Sequence, residues 1–414
     1  MKDSEAMRSA RFAALACALV IVVSAVSACS SRDVAIIGIP NRASQSPQLS
    51  AHGSVVVAAW VALDPNSSGG ADAFIAMSHN GGSGFGAPVR VNDVAGEVRA
   101  SEQQVPRVAM HENTIAVVWT SRRGNATEIR LAVSTDHGAS FGASRRISPE
   151  GAPGTRGWAS LTIDDDDRVR IAWLDTRVAA AEKLRAVETP HAAGHTMSGG
   201  TQQDLYVALV EPDGTQAERL ASTNVCFCCK TAIAQTSAHT FIAFRDIYGD
   251  NMRDISVVHV GNAEITRSRV SEDGWQIAGC PEDGPALVAS TRGLDIVWPT
   301  AVSADALQRG VFTSSASLTG PFSPRTRLDS GHGTAIHPAL ATNRFGDLAA
   351  TWEVIGEGSH RIERRIRRGQ QWGPIEVVAT GESVSSPAIV GAGGRFVTAW
   401  TERFNGVTTV RVRY

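Results

Sequence analysis

The chain has 414 residues, of which 43% are hydrophobic and 19% charged, and its 39 basic and 41 acidic side chains leave a formal net charge of −2. So even a balance excludes an electrostatic nucleic-acid binder, which needs a basic face, and the apolar content excludes global disorder. The length admits either two or three ordinary domains or one large repeat architecture.

The chain opens with Arg8 and Arg11 ahead of an apolar run from Phe12 to Val23. That run is short for a membrane span but suits the core of a secretory signal. Val26-Ser27-Ala28-Cys29 follows and resembles a bacterial lipobox. The resemblance implies that Cys29 is diacylated and becomes the mature N-terminus; the plainer alternative is a secretory signal cut near Ala28. Asp3 and Glu5 are unusual in a basic leader, and a start at Met7 makes a cleaner one. Ser30, rather than Asp, follows the cysteine, which by Gram-negative sorting rules implies the outer membrane. The expectation is a lipoprotein signal peptide over residues 1–29 and one folded unit over residues 30–414, exported, membrane-anchored through its lipid and monomeric.

A short apolar strand ending in an aromatic residue then recurs seven times, ending at Trp60, Trp119, Trp173, Phe244, Trp298, Trp352 and Trp400. The steps between these aromatics are 59, 54, 71, 54, 54 and 48 residues. Roughly a dozen residues upstream of each lies a second recurring element: Ser46-Pro47-Gln48-Leu49, Val105-Pro106-Arg107-Val108, Trp158-Ala159-Ser160-Leu161, Lys230-Thr231-Ala232-Ile233, Gly284-Pro285-Ala286-Leu287, His337-Pro338-Ala339-Leu340 and Ser386-Pro387-Ala388-Ile389. Two further short strands follow each aromatic, and Gly, Asn and Asp turn signals separate them. Four short strands at a spacing of about 50 residues predict an all-β propeller, with seven blades as the count and six as the alternative. No amphipathic helix is expected. The seventh copy ends after its third strand, Val407 to Tyr414. The unattached strand Val34 to Ile39 is therefore expected to complete that blade and remove two open edges.

Between the third and fourth strands of the second blade lies Ser134-Thr135-Asp136-His137-Gly138-Ala139-Ser140-Phe141, with a weaker copy, Ser78-His79-Asn80-Gly81-Gly82-Ser83-Gly84-Phe85, in the first. Glu211-Pro212-Asp213-Gly214-Thr215 and Gln371-Trp372-Gly373-Pro374 are remnants. This pattern resembles the Asp box (BNR repeat) of the sialidase superfamily, and the resemblance extends over residues 34 to 414. It implies a structural turn on the face away from the active site. A sialidase also carries an early Arg-Ile-Pro motif, an Arg triad, an Asp acid/base and a late Tyr nucleophile paired with Glu. Here the early segment reads Gly38-Ile39-Pro40-Asn41-Arg42, and the three tyrosines, Tyr206, Tyr248 and Tyr414, do not stand where the family keeps its nucleophile.

Propeller ligands bind on the face where strand two leads to strand three and strand four to the next strand one. Charged residues just after the strand-two aromatics are the candidates there: Arg122, Asp175, Arg177, Arg245, Asp246, Glu353 and Glu402, joined by Arg253 in the same loop as Arg245. A guanidinium fork matches a carboxylate or phosphate, and Asp246, Glu353 or Glu402 suit acid/base work in a glycoside hydrolase. Ring-closing salt bridges are the alternative use of all of them. Cys226, Cys228, Cys229 and Cys280 approach the same face from blades four and five. Two disulfides are one fate for them, permitted in an export compartment; soft-metal ligation of copper or zinc is the other. The insertion from Val178 to Gln202 adds His191, His195 and Met197 as weaker donors, or is a plain surface loop. The expected function is binding of a glycan or another polar polymer at the channel face, with metal or redox chemistry and sialidase-type hydrolysis as alternatives.

Overall fold

The computed structural model describes residues 33–414 apart from 66–69, 102–103, 124–125, 189–202, 278, 280, 282 and 303–308. Seven antiparallel sheets follow one another along the chain, as the repeat predicts. Their first strands are Ser44–His52, Arg107–His111, Arg156–Ile163, Ala232–Gln235, Ala286–Ser290, Thr334–Thr342 and Val384–Ala392. Together these first strands line a central channel. The seventh sheet is closed by Val34–Ile37, which pairs antiparallel with Val407–Arg413 in the register Val34↔Arg413 to Ile37↔Val410. The sixth sheet departs from four strands: its outer strand is split into Gln371–Trp372 and Glu376–Gly381, both paired to His360–Arg368. Pro374 stands at the break, where it has no N–H to give the ladder.

The second strand of each blade is apolar without alternation because it is covered on both faces. Val55–Leu63, for example, is buried over its whole interior, since each sheet is packed between two others. Each strand-two aromatic fills the space between its own blade and the preceding one. Trp119 packs with Val57, Ala73 and Ile75 of blade one, Trp298 with Ala243 and Val257 of blade four, and Trp60 with Val397 and Val410 of blade seven. Replacing one such tryptophan by alanine costs about 3–5 kcal/mol. The fourth strands form the outer rim, and Ile265–Arg269 accordingly alternates little and is largely exposed.

The Asp-box turns wedge blades together on the face away from the channel mouth. Asp136 accepts from Ser140 N (3.0 Å), Ser140 Oγ (2.6 Å) and Ser134 Oγ (2.7 Å). These bonds hold its carboxyl at about 2, below the usual carboxylate range. Gly138 has φ +78°, and a Cβ there would lie 2.7 Å from Ile75 Cδ1 of blade one. In the first blade Asn80 replaces the aspartate and keeps the bonds to Ser78 Oγ (2.8 Å) and Gly84 N (3.1 Å).

One helix, Arg177–Glu188, corrects the expectation of a helix-free chain. It occupies the start of the blade-three insertion. Ala179, Ala180, Ala181, Lys183 and Leu184 are strong helix formers, but the helix lies mostly in solvent and has no apolar stripe to betray it. No helix among the described residues is long and apolar enough to cross a membrane.

Candidate functional site

Four of the seven first strands begin with the same distortion. Ser46, Trp158, His337 and Ser386 have φ between +52° and +57°, each at a register shift in the pairing of strands one and two. Three of them precede proline, which itself disfavours helical backbone in the residue before it. A bulge of this kind re-aims side chains at a rim, and a non-glycine residue held there costs about 1–3 kcal/mol. It also frees backbone N–H groups from the ladder, and in three blades the preceding blade supplies the acceptor. Ser46 N bonds Thr401 Oγ1 (2.8 Å), His337 N bonds Asp283 Oδ2 (2.6 Å) and Ser386 N bonds Glu353 Oε2 (3.2 Å). Two buried carboxylates, Asp283 and Glu353, thus stand at the channel because bulged backbone needs acceptors there.

Those carboxylates gather cations. Glu353 also accepts from His337 Nδ1 (3.0 Å) and lies 3.4 Å from His360 Nδ1. Burial opposes the charge on His337, but the Asp283 charge and the Glu353 hydrogen bond outweigh it and raise its pKa above 6.5. Lys230 donates to Pro338 O across the channel (3.0 Å) and lies 3.6 Å from Asp283 Oδ1. Burial brings Lys230 down to about 8, and the Arg107 charge pushes in the same direction. Arg107 bonds Gln48 Oε1 (2.5 Å), while its buried Nε has no hydrogen-bond partner. Burial brings Arg107 down to about 10.

Gln48, Arg107, Ser160, Lys230, Thr231, His337 and Ser386 are the polar lining of one cavity of about 200 Å³ at the channel mouth. Its floor is an apolar waist of Leu49, Val108, Leu161, Ile233, Leu340 and Ile389, shared with a second cavity on the far side. This cavity is smaller than the ~300–1,000 Å³ usual for drug-sized ligands, so it suits a single polar group or ring.

The eight charged candidates from the sequence lie elsewhere, and none lines this cavity. Asp175 is fully buried between Arg156 (3.2 Å) and Arg177 (2.5 Å), and Arg177 also pairs with Glu218 (2.6 Å) and covers the Tyr206 ring at 3.9 Å. Arg245 donates to the carbonyls of Arg253 (2.8 Å), Pro299 (2.8 Å) and Asp283 (3.3 Å), stapling blade four to blade five. Asp246 accepts from Ser256 Oγ (2.9 Å) and lies 3.3 Å from Arg267, and burial raises its pKa. Glu402 pairs with Arg411 (3.0 Å). Arg122 is exposed on blade two. Glu353 comes nearest the cavity, through His337 and Ser386. Arg42, next to the early Ile39-Pro40, bonds Asp72 (2.8 Å) and the carbonyl of Ala62 (2.6 Å) inside blade one. Tyr248 bonds Ser256 Oγ (2.6 Å), and burial raises both it and Tyr206 above the usual phenol range.

The cysteines divide. Cys226 and Cys229 are free thiols with their sulfurs 3.4 Å apart, whereas Cys228 is disulfide-bonded. The expectation of two disulfides therefore does not hold for Cys226 and Cys229. The Cys229 hydrogen bond, with the charges of Arg245 and Arg253 behind it, brings Cys226 below the usual thiol range, and burial pushes Cys229 above it. Cys280, Cys29, His191, His195 and Met197 lie outside the described residues.

Arg107 and Lys230 at the cavity, and Asp283 beside Lys230, are residues that the sequence did not single out. For Arg107 a signal was present. The third position of the first-strand repeat reads Ala in four blades (Ala232, Ala286, Ala339, Ala388) but Gln48, Arg107 and Ser160 in the other three.

No protein-family model matches the sequence, and no curated protein matches it. Solved structures of similar shape include an α-L-arabinofuranosidase from Fusarium graminearum in complex with an iminosugar inhibitor, with 13% identity over 80% of this chain and 96% of that one and a TM-score of 0.49. Trypanosoma rangeli sialidase has 13% identity over 90% of this chain and 55% of its own, also at a TM-score of 0.49, so this chain spans about half its length. Penicillium chrysogenum α-L-arabinanase complexed with arabinobiose has 14% identity over 76% of this chain and 90% of its own, at 0.48. The likeness to these sialidase and arabinanase propellers is one of fold.

Proposed function

We propose that this protein is an exported, lipid-anchored propeller that binds a glycan or another polar ligand in the cavity at its channel mouth. The observation that carries the reading is the convergence of Arg107, Lys230 and His337 on one small cavity. Lys230 and His337 have Asp283 and Glu353 beside them; Arg107 has only the neutral Gln48 and a buried Nε with no partner. A half-buried cation without a counter-charge carries part of the desolvation cost of a buried one, and an anionic oxygen of a ligand, such as a sugar carboxylate, offsets it with a charge-assisted hydrogen bond.

The test is an array of neutral and acidic glycans probed with the wild-type chain and with Arg107→Ala. The reading requires binding of acidic members that weakens with salt and is lost in the variant. Binding that ignores Arg107, or no binding on the array, refutes it. Export and anchoring rest on the Arg8-to-Cys29 segment; Cys29→Ala releases the protein from the membrane fraction if they are right and leaves its distribution unchanged if they are wrong.

A further inference from the structure

We propose that Cys226 and Cys229 form a buried two-thiolate site for one soft monovalent cation, copper(I), beside the channel mouth. The site is independent of the channel ligand proposed above. The two thiols are free, 1% exposed and 3.4 Å apart at their sulfurs. They lie at the two ends of a turn between the strands Gln216–Val225 and Ala232–Gln235. Opening the Phe227–Lys230 segment to admit an ion therefore breaks no strand ladder.

The donor set decides which metal. The Cys228 sulfur is within 4.8 Å of the other two but is committed to a disulfide, so two thiol ligands remain. Among the described residues no histidine or carboxylate joins this sulfur cluster. Zinc in a structural site takes four nitrogen, sulfur or oxygen ligands, and this set falls short. Copper(I) selects soft thiolates and is content with two. Both cysteines bind it as thiolates, so one cation and two thiolates make a complex of net charge −1.

That charge matches an independent feature. Arg253 is 5% exposed, and its Nε and Nη1 have no hydrogen-bond partner. Its guanidinium carbon lies 5.7 Å from the ring of Phe227, the residue after Cys226. Its carbonyl accepts from Arg245 Nη1, and the Arg245 carbonyl accepts from Cys226 N (3.1 Å). A buried guanidinium with two unbonded nitrogens is strongly unfavourable unless an anion lies nearby. A bis-thiolate copper(I) complex supplies that anion. A divalent ion on the same two thiolates is neutral and does not.

The test uses the full exported chain, purified without oxygen and titrated with copper(I) against a chromophoric copper(I) chelator. One ion per chain is expected, with an ultraviolet sulfur-to-copper band. Loss of an outer partner alone typically weakens a metal site by about 10–100-fold, so Cys226→Ser and Cys229→Ser should each weaken binding by more than about 100-fold. Arg253→Met, which keeps both ligands, should weaken it by less. X-ray absorption of the wild-type copper complex, which needs no variant to fold, should show two sulfur neighbours and no nitrogen. The proposal is overturned by copper binding that survives both serine substitutions, by zinc held more tightly than copper(I), or by a Cys226–Cys229 disulfide in protein alkylated directly in the cells.

Discussion

Arg245 offers the sharpest test of how the ring is held beside its channel. Its guanidinium is 1% exposed, lies 4.7 Å from the Trp275 ring centre, and donates to three backbone carbonyls, two of them (Asp283 and Pro299) on blade five. In Arg245→Met the side chain keeps most of its apolar length but loses all three donors. A hydrogen bond from a charged group contributes about 1.5–3 kcal/mol, so three contribute about 4–9 kcal/mol gross. Against that stands the desolvation of the cation, itself several kcal/mol. The difference leaves a destabilisation of about 2–4 kcal/mol. Arg245→Lys should recover less than half of it, because an ammonium is a compact point charge and not a planar fork. Urea unfolding followed by tryptophan fluorescence measures both variants, with midpoint and slope compared to wild type. If Arg245→Met unfolds within about 0.5 kcal/mol of wild type, the ordinary range for a surface change, the staple between blades four and five is not one.

Two further outcomes follow from the same structure. Deleting the chain up to Ile37 removes the strand paired with Val407–Arg413 and exposes an unprotected edge; light scattering should show the truncated protein self-associating, and a monodisperse monomer of unchanged stability would contradict the closure. The charge on His337 makes stability pH-dependent in a stated direction. Its folded pKa lies above 6.5, so its contribution is complete below about 6.5 and is lost as pH rises through the folded value. Glu353→Gln keeps an acceptor for Ser386 N but removes one of the two carboxylates that hold the charge on His337, and should shallow that part of the stability–pH curve; an unchanged curve would show that the His337–Glu353 pair does not carry it.

The fold was legible because it is written in local, repeated terms. Trp60, Trp119 and their counterparts recur at blade spacing because every blade presents the same inter-blade gap to fill. The ring-closing strand was legible because Val34–Ile37 had no blade of its own and the last blade lacked one strand. The helix Arg177–Glu188 escaped because it is solvated and packs no apolar face that a period would reveal. The candidate site was less legible. Asp175, Arg245 and Asp246 follow the strand-two aromatics as the repeat requires, yet they are used in burial and stapling. Charge at the right place in a repeat does not distinguish a group aimed into the channel from one turned between blades.

By itself the sequence determined the ring, its closure and its Asp-box turns, since each depends on residues close in the chain or on a regular spacing, and the structure settled seven blades over six. It also explains why glycine is abundant, with turns repeated blade by blade, and why tryptophan outnumbers tyrosine. Only the tertiary structure decided which side chains meet across the channel. Arg107, Lys230 and His337 come from blades two, four and six, and no local pattern relates them. The same holds for the thiols: their spacing in Cys226-Phe227-Cys228-Cys229 left both disulfide and metal open. The structure separates one bonded sulfur from two free ones and sets Arg253, with two unbonded nitrogens, beside them. The near-zero net charge is thus an average over separate buried ion-pair clusters and one cationic cavity, because burial forces most charges to find a partner and leaves the exceptions at the channel mouth and beside the thiols.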